Sequence, residues 1–189
     1  MLDEQPPTEV LTERLLLRCW KEGDGPALKQ AIDTNLEYLR RWMPWAMDEP
    51  SSLEDLSARL LKFERAFLKG DEWLFGIFSR GSLTIVGACG LHRQDQPNTL
   101  EIGYWIGAEH TRQGYATEAA KALTKSAFGI KQIESAEIRC DPENVASAGV
   151  PKRLGYRLVE ILRGNTVTPK GEPRDTMVWR MDRAECADW

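Results

Sequence analysis

Apolar positions change their period several times along this 189-residue chain, and the changes mark out its elements. Residues 9–20, centred on Leu15-Leu16-Leu17, read as an opening strand. Residues 24–42 read as a helix, with Asp24 in the N-cap position and Pro26 in the first turn, where a missing N–H costs nothing. Pro44 stops that helix, and the segment Leu39-Arg-Arg-Trp-Met-Pro-Trp45 leaves two tryptophans in the exit loop. Ser51 or Ser52 can cap a second helix whose first turn carries Glu54 and Asp55. Within it Leu53, Leu56, Leu60, Phe63 and Phe67 recur at helical spacing and form one apolar face.

After Lys69-Gly70-Asp71 the period becomes strand-like. Residues 72–79, 83–91 and 99–107 read as strands, the first two joined by a turn at Arg80-Gly81-Ser82. A third helix opens at Gly114 and runs to about Phe128. Then follow a strand at 133–140, a helix at 144–154, and strands at 156–163 and 174–181. Two helices, a meander, and then alternating strands and helices predict an α/β (α+β) architecture with a mixed sheet in one layered domain. No linker-like stretch divides the chain, so a single domain over 1–189, with a core at about 11–181, is expected.

Composition sharpens this mainly by exclusion. With 42% apolar and 29% charged residues the chain resembles ordinary globular proteins. A chain of this size can bury about 70% of its surface without staples. Cys19, Cys89, Cys140 and Cys186 stand far apart, and His92 and His110 are the only histidines, so a zinc cluster is not expected. Four unpaired thiols suit a reducing cytoplasm. No apolar run approaches the ~20 residues of a membrane helix, and the polar opening Met1–Pro6 does not read as a secretory leader. A net charge of −4 argues against nucleic acid as a partner. A cytoplasmic protein with no metal, no membrane and no nucleic-acid partner is the expectation.

Two segments carry chemistry. In Glu101-Ile-Gly-Tyr-Trp-Ile-Gly-Ala-Glu-His-Thr-Arg-Gln-Gly-Tyr-Ala-Thr-Glu118, a strand leads through Arg112, Gln113 and Gly114 into a helix with a small, polar first turn. The free N–H groups and positive dipole of a helix start, with Arg112 adding a cation, suit a diphosphate. Neither a Walker A loop nor a G-x-G-x-x-G fingerprint is present. In the second segment, Asn144-Val-Ala-Ser147 opens a helix that Leu154-Gly155-Tyr156 closes.

Taken in order, these motifs resemble the GNAT superfamily of acyl-CoA-dependent N-acetyltransferases, and Leu39–Trp45 resembles its RimJ/RimL branch, which acetylates protein N-termini. The likeness runs from about Leu11 to Met181. It implies a mostly antiparallel twisted sheet with splayed central strands. It implies acetyl-CoA as cosubstrate, its pantetheine on the main chain of Tyr104, Trp105 and Ile106 and its diphosphate on the amides of Arg112, Gln113, Gly114, Tyr115, Ala116 and Thr117. Thr111 stands where the family usually has Gln or Arg, a place Arg112 can fill. Asn144 either contacts the cofactor's amide region or caps its helix, and Tyr115 either packs on the helix or covers the ligand.

For catalysis the resemblance offers Glu101 as general base, with His92 in reserve, and a backbone N–H near Trp105 for the oxyanion. Glu101 also reads as a plain surface carboxylate. Many relatives carry a tyrosine as general acid where this chain has Pro151; Ser147 matches the serine of RimL-like members, or is simply a first-turn helix residue. Trp42 and Trp45 read either as core anchors or as the wall of an acceptor pocket, and Arg40-Arg41 as a solvated face. A peptide α-amine, with a pKa near ~7.8, is roughly 10–15% neutral at pH 7 and asks little of a base. The acceptor that the RimJ/RimL resemblance implies is a protein N-terminus of the ribosomal-protein type. A small amine or antibiotic, and a catalytically silent acyl-CoA sensor, are the alternatives; a homodimer remains open.

Overall fold

The computed structural model describes residues 4–169 and 171–186. Eight strands form one sheet: β1 (Glu9–Leu11), β2 (Leu15–Cys19), β3 (Trp73–Ser79), β4 (Ile85–Arg93), β5 (Thr99–Ile106), β6 (Ser135–Cys140), β7 (Arg157–Val167) and β8 (Pro173–Asp182). Their spatial order is β1-β2-β3-β4-β5-β6-β8-β7. Every neighbouring pair is antiparallel except β5 and β6, which run parallel. The helices are α1 (Gly25–Trp42), α2 (Leu53–Lys69), α3 (Tyr115–Gly129) and α4 (Val145–Arg153).

Two apolar clusters hold these layers. One joins Leu17, Phe75, Ile102 and Ile138 of the sheet to Leu123 of α3 and Val150 of α4. The other joins Trp20 and Trp105 to Leu28 and Ile32 of α1 and Leu56 and Leu60 of α2. Ser52 caps α2 by accepting the Asp55 N–H at 3.0 Å, and Gly70 ends it in the left-handed region at φ +75°. The cysteines are free, three of them buried. Among the described residues no helix is long and apolar enough to cross a membrane.

The expected opening strand is in fact a hairpin. Thr12 turns the chain, its N–H donating to the Leu15 carbonyl at 2.9 Å while its hydroxyl oxygen accepts the Leu15 N–H at 2.9 Å. Val10 thus pairs with Leu17. Asp24 does not cap α1; its carboxylate grips the Arg18 guanidinium through two 2.7 Å bonds and accepts the Lys21 N–H at 2.9 Å. Nor is Arg40 a solvated side chain, since it donates to the carbonyls of Ala46 and Glu49 and ties down the turn after α1. The closing hairpin is longer than the pattern suggests. β7 forms the outer edge and is exposed along nearly its whole length, so it carries no apolar alternation to read.

Candidate active site

β5 is paired differently on its two sides. Toward β4 the ladder extends from Leu100 to Ile106. Toward β6 it stops after Glu101↔Glu137, so the strands part from Ile102 onward. The implied splay is therefore present. The Gly107 N–H donates to the Val86 carbonyl at 2.9 Å, and strand alternation turns the Trp105 main chain toward β4 as well. The same alternation leaves the Tyr104 and Ile106 main-chain groups facing the gap. Trp105 stands opposite Ala88 of β4, with its main chain turned away from the gap, and its ring belongs to the apolar cluster of α1 and α2.

The segment after β5 is held from two sides. Asn35, 3% exposed on the inner face of α1, accepts the Ala108 N–H at 2.6 Å and donates to the Ala31 carbonyl. Its place on the stripe Leu28-Ile32-Asn35-Leu39 was the sequence signal for that role. Gly114 takes φ +83° at the N-cap of α3, and Arg112 takes φ +60°. The first helical bond runs from the Glu118 N–H to the Gly114 carbonyl, at 3.0 Å, so the Tyr115, Ala116 and Thr117 amides precede the ladder. Gln113 is turned away, its amide donating to the Glu109 carbonyl.

Arg14 braces this loop. It donates to the Gln113 carbonyl at 2.8 Å, pairs with Glu118 at 2.7 Å and lies 4.7 Å over the Tyr115 ring. Burial alone would raise the Glu118 pKa, but hydrogen bonds from Thr12 and Arg14 hold it below the usual carboxylate value. Arg153 reaches across from α4 to within 3.2 Å of the Thr117 hydroxyl, bringing a second cation that sequence reading missed. At a helix C-terminus such an arginine looks like ordinary dipole compensation.

These elements enclose a groove of about 560 Å³ that runs from Arg112 and Arg153 to Tyr104 and Ser147. Trp42 lines it, under the Arg41 guanidinium at 4.6 Å. Asn144, also on its wall, caps α4 by accepting the Ser147 N–H at 3.1 Å. Pro151 sits inside α4 and has no N–H to give the Ser147 carbonyl. The Tyr104 hydroxyl lies 3.3 Å from that carbonyl and 3.2 Å from the Ser147 hydroxyl. Burial pushes the Tyr104 phenol well above its ordinary pKa, so it stays protonated.

A second cavity, of about 580 Å³, opens on the α1–α2 side, and Tyr104 and Trp105 belong to the walls of both. Trp45 lines this second space with its ring 6.2 Å from that of Trp105. His92 lies in its wall too, Nδ1 at 2.8 Å from Glu72, a residue sequence reading passed over. A Cβ on Gly103 would stand 3.1 Å from His92 Nε2, so that nitrogen rests above the β5 backbone where the strands begin to part. Glu101 lines neither space. Gln94 donates to it at 2.9 Å and Arg139 stands 3.5 Å away; burial raises its pKa, and Arg139 and His92 draw it back.

An open strand edge leading to a helix start, with a second cavity meeting it at one wall, is the layout of an enzyme that passes a group between two substrates. The family model for the acetyltransferase (GNAT) domain matches residues 14–157, and the chain belongs to that family of N-acetyltransferases. YdaF of Bacillus subtilis (strain 168), provisionally named a ribosomal N-acetyltransferase, is 31% identical over 150 residues, covering 77% of this chain and 79% of that protein. The ribosomal-protein-serine acetyltransferase of Escherichia coli (strain K12) is 26% identical over 160 residues, covering 82% and 86%. Among solved structures, RimL, the ribosomal L7/L12 alpha-N-protein acetyltransferase in complex with coenzyme A, superposes with a TM-score of 0.82 at 21% identity, covering 92% of this chain and 96% of that one.

Proposed function

We propose that the whole chain acts as one cytoplasmic acetyltransferase domain that transfers the acetyl group of acetyl-CoA to the α-amine of a protein or peptide N-terminus. The observation that carries this reading is the meeting of the two spaces at Tyr104 and Trp105, beside the open edge of β5. The pantetheine arm would add to that edge like a strand, bonding the Tyr104 and Ile106 main chain. Its diphosphate would rest on the Tyr115, Ala116 and Thr117 amides, with Arg112 and Arg153 supplying charge. Acetyl-CoA brings an acyl group activated as a thioester; the chain's own residues orient it and move protons.

The Tyr104 N–H, which faces the gap next to Gly103 and so lies at the end of the groove nearest His92, is the donor to the oxyanion in this reading. The Tyr104 hydroxyl, paired with Ser147, supplies the proton that the departing thiolate takes up. Supporting His92 over Glu101 as acceptor of the amine proton are its place on the second cavity and the Glu72 contact, which keeps a proton on Nδ1 and leaves Nε2 free to accept. Glu101 lies beside His92 in the β4–β5 register and acts on it electrostatically. A catalytically silent sensor is disfavoured because Tyr104 provides the hydroxyl that position 151 lacks. A polyamine acceptor is disfavoured because the second cavity's acidic groups, Asp48 and Glu72, stand among Arg59 and His92.

The test is mass spectrometry of peptides and small amines incubated with acetyl-CoA. Acetylation confined to the α-amine of peptides supports the reading, whereas acetylation confined to lysine side chains or free small amines overturns it.

A further inference from the structure

The second cavity also bears on what must accompany the acceptor amine. Its charged and titratable wall residues are Asp48, Arg59, Glu72 and His92, the last two joined at 2.8 Å. The rest of its wall includes Trp20, Trp45, Phe63, Leu74, Ala88 and Trp105. Trp45, Phe63, Leu74 and Ala88 are only half-buried, so apolar surface is left that no side chain among the described residues covers. The Trp45 and Trp105 rings meet at 51°, tilted rather than stacked.

We infer that this space seats a bulky apolar or aromatic group carried next to the acceptor amine. In a peptide that group is the first residue's side chain, so the preferred N-termini begin with methionine, leucine or phenylalanine rather than serine, alanine or glycine. The inference rests on the α-amine reading and adds the identity of the first residue. Its physical basis is direct. An amine at His92 Nε2 sits above Gly103, beside the thioester end of the cofactor groove. From there a substituent on the adjacent carbon has apolar wall ahead of it. Burying a side chain of leucine or phenylalanine size against such a wall favours binding roughly ten- to hundredfold. A serine hydroxyl turned toward that apolar wall would give up water for aromatic and aliphatic carbon.

The experiment compares peptides identical after the first residue and beginning with Met, Leu, Phe, Ala, Ser or Asp, with kcat/KM read from CoA release. The three large apolar residues are expected to exceed Ala and Ser by about tenfold or more. Ala88→Ile, which fills the cavity from β4, is expected to reverse that order while CoA binding by calorimetry is unchanged. Phe63→Ala, which enlarges the same cavity from α2, is a second arm should Ala88→Ile misfold, and is expected to move the optimum to larger aromatic residues. Equal or better turnover of Ser and Ala peptides overturns the inference while leaving α-amine acetylation standing. Acetylation of free apolar amines such as phenethylamine, with every peptide inert, supports the cavity assignment and overturns the peptide reading instead.

Discussion

Pro151 takes away the N–H that Ser147 would otherwise receive within α4, and the Tyr104 hydroxyl meets the exposed carbonyl. The substitution that removes one tyrosine from the site thereby anchors another, delivered from β5. Tyr104→Phe is expected to lower kcat by roughly a hundredfold, the usual size of a general-acid contribution, with CoA affinity by calorimetry nearly unchanged. Across the gap, His92→Gln is expected to cost about as much in kcat, and Glu72→Gln about tenfold, through loss of tautomer control. Glu101→Gln is expected to cost less than His92→Gln; steady-state kinetics on all four variants would reveal an inverted order. From sequence, Ser147 and His92 could be named as individual residues. Tyr104 could be named only for its main chain and Glu72 not at all, because the contacts of those two side chains cross between strand and helix or between neighbouring strands, and no local spacing records them.

Among the elements, helices were legible where amphipathic spacing and caps agree. Ser52 and Gly70 bracket α2 as their chemistry demands. The β1–β2 turn was missed because Thr12-Glu13-Arg14 contains neither glycine nor proline, and a threonine side chain does the turning. That turn matters beyond its size. It positions Thr12 and Arg14 to grip Glu118, and through it the start of α3. Arg14→Ala is expected to raise KM for acetyl-CoA several-fold with kcat little changed, because it loosens the loop whose amides would hold the diphosphate without touching the reacting atoms. Steady-state kinetics at varied acetyl-CoA checks this, and an unchanged KM with a reduced kcat would contradict it. The parting of β5 and β6 was legible only through the family resemblance; apolar periodicity is the same in a paired strand and an unpaired one.

For the molecule as a whole, acid sensitivity follows from three carboxylates held below their ordinary values. In Asp24, Glu49 and Glu118 burial pushes the pKa up but is outweighed, by Arg18 and the Lys21 amide, by Arg59 and Ser51, and by Thr12 and Arg14 respectively. Each binds its proton less readily folded than unfolded, so the stability it contributes is complete above its ordinary value, 3.8 for Asp24 and 4.5 for the two glutamates, and drains away as the pH falls through the lowered one. The Glu49→Gln, Glu118→Gln double variant is expected to melt below the parent at pH 7 and to converge with it as the pH falls through the lowered carboxylate values, where the parent carboxylates are protonated too. A gap that persists at acid pH would mean that packing, not charge, supplies the difference.

The unpaired edge of β5 makes the sheet unfinished until a ligand is in it. An occupant of that seam acts as an interior strand, so occupancy and global stability become one linked equilibrium. At a free CoA concentration of about a hundred times Kd the gain is about 2.7 kcal/mol, enough to read as a melting shift of several degrees. The Tyr104 and Ile106 amides should slow in hydrogen exchange with it, turning the seam into a reporter for acyl donors that needs no turnover and no known acceptor.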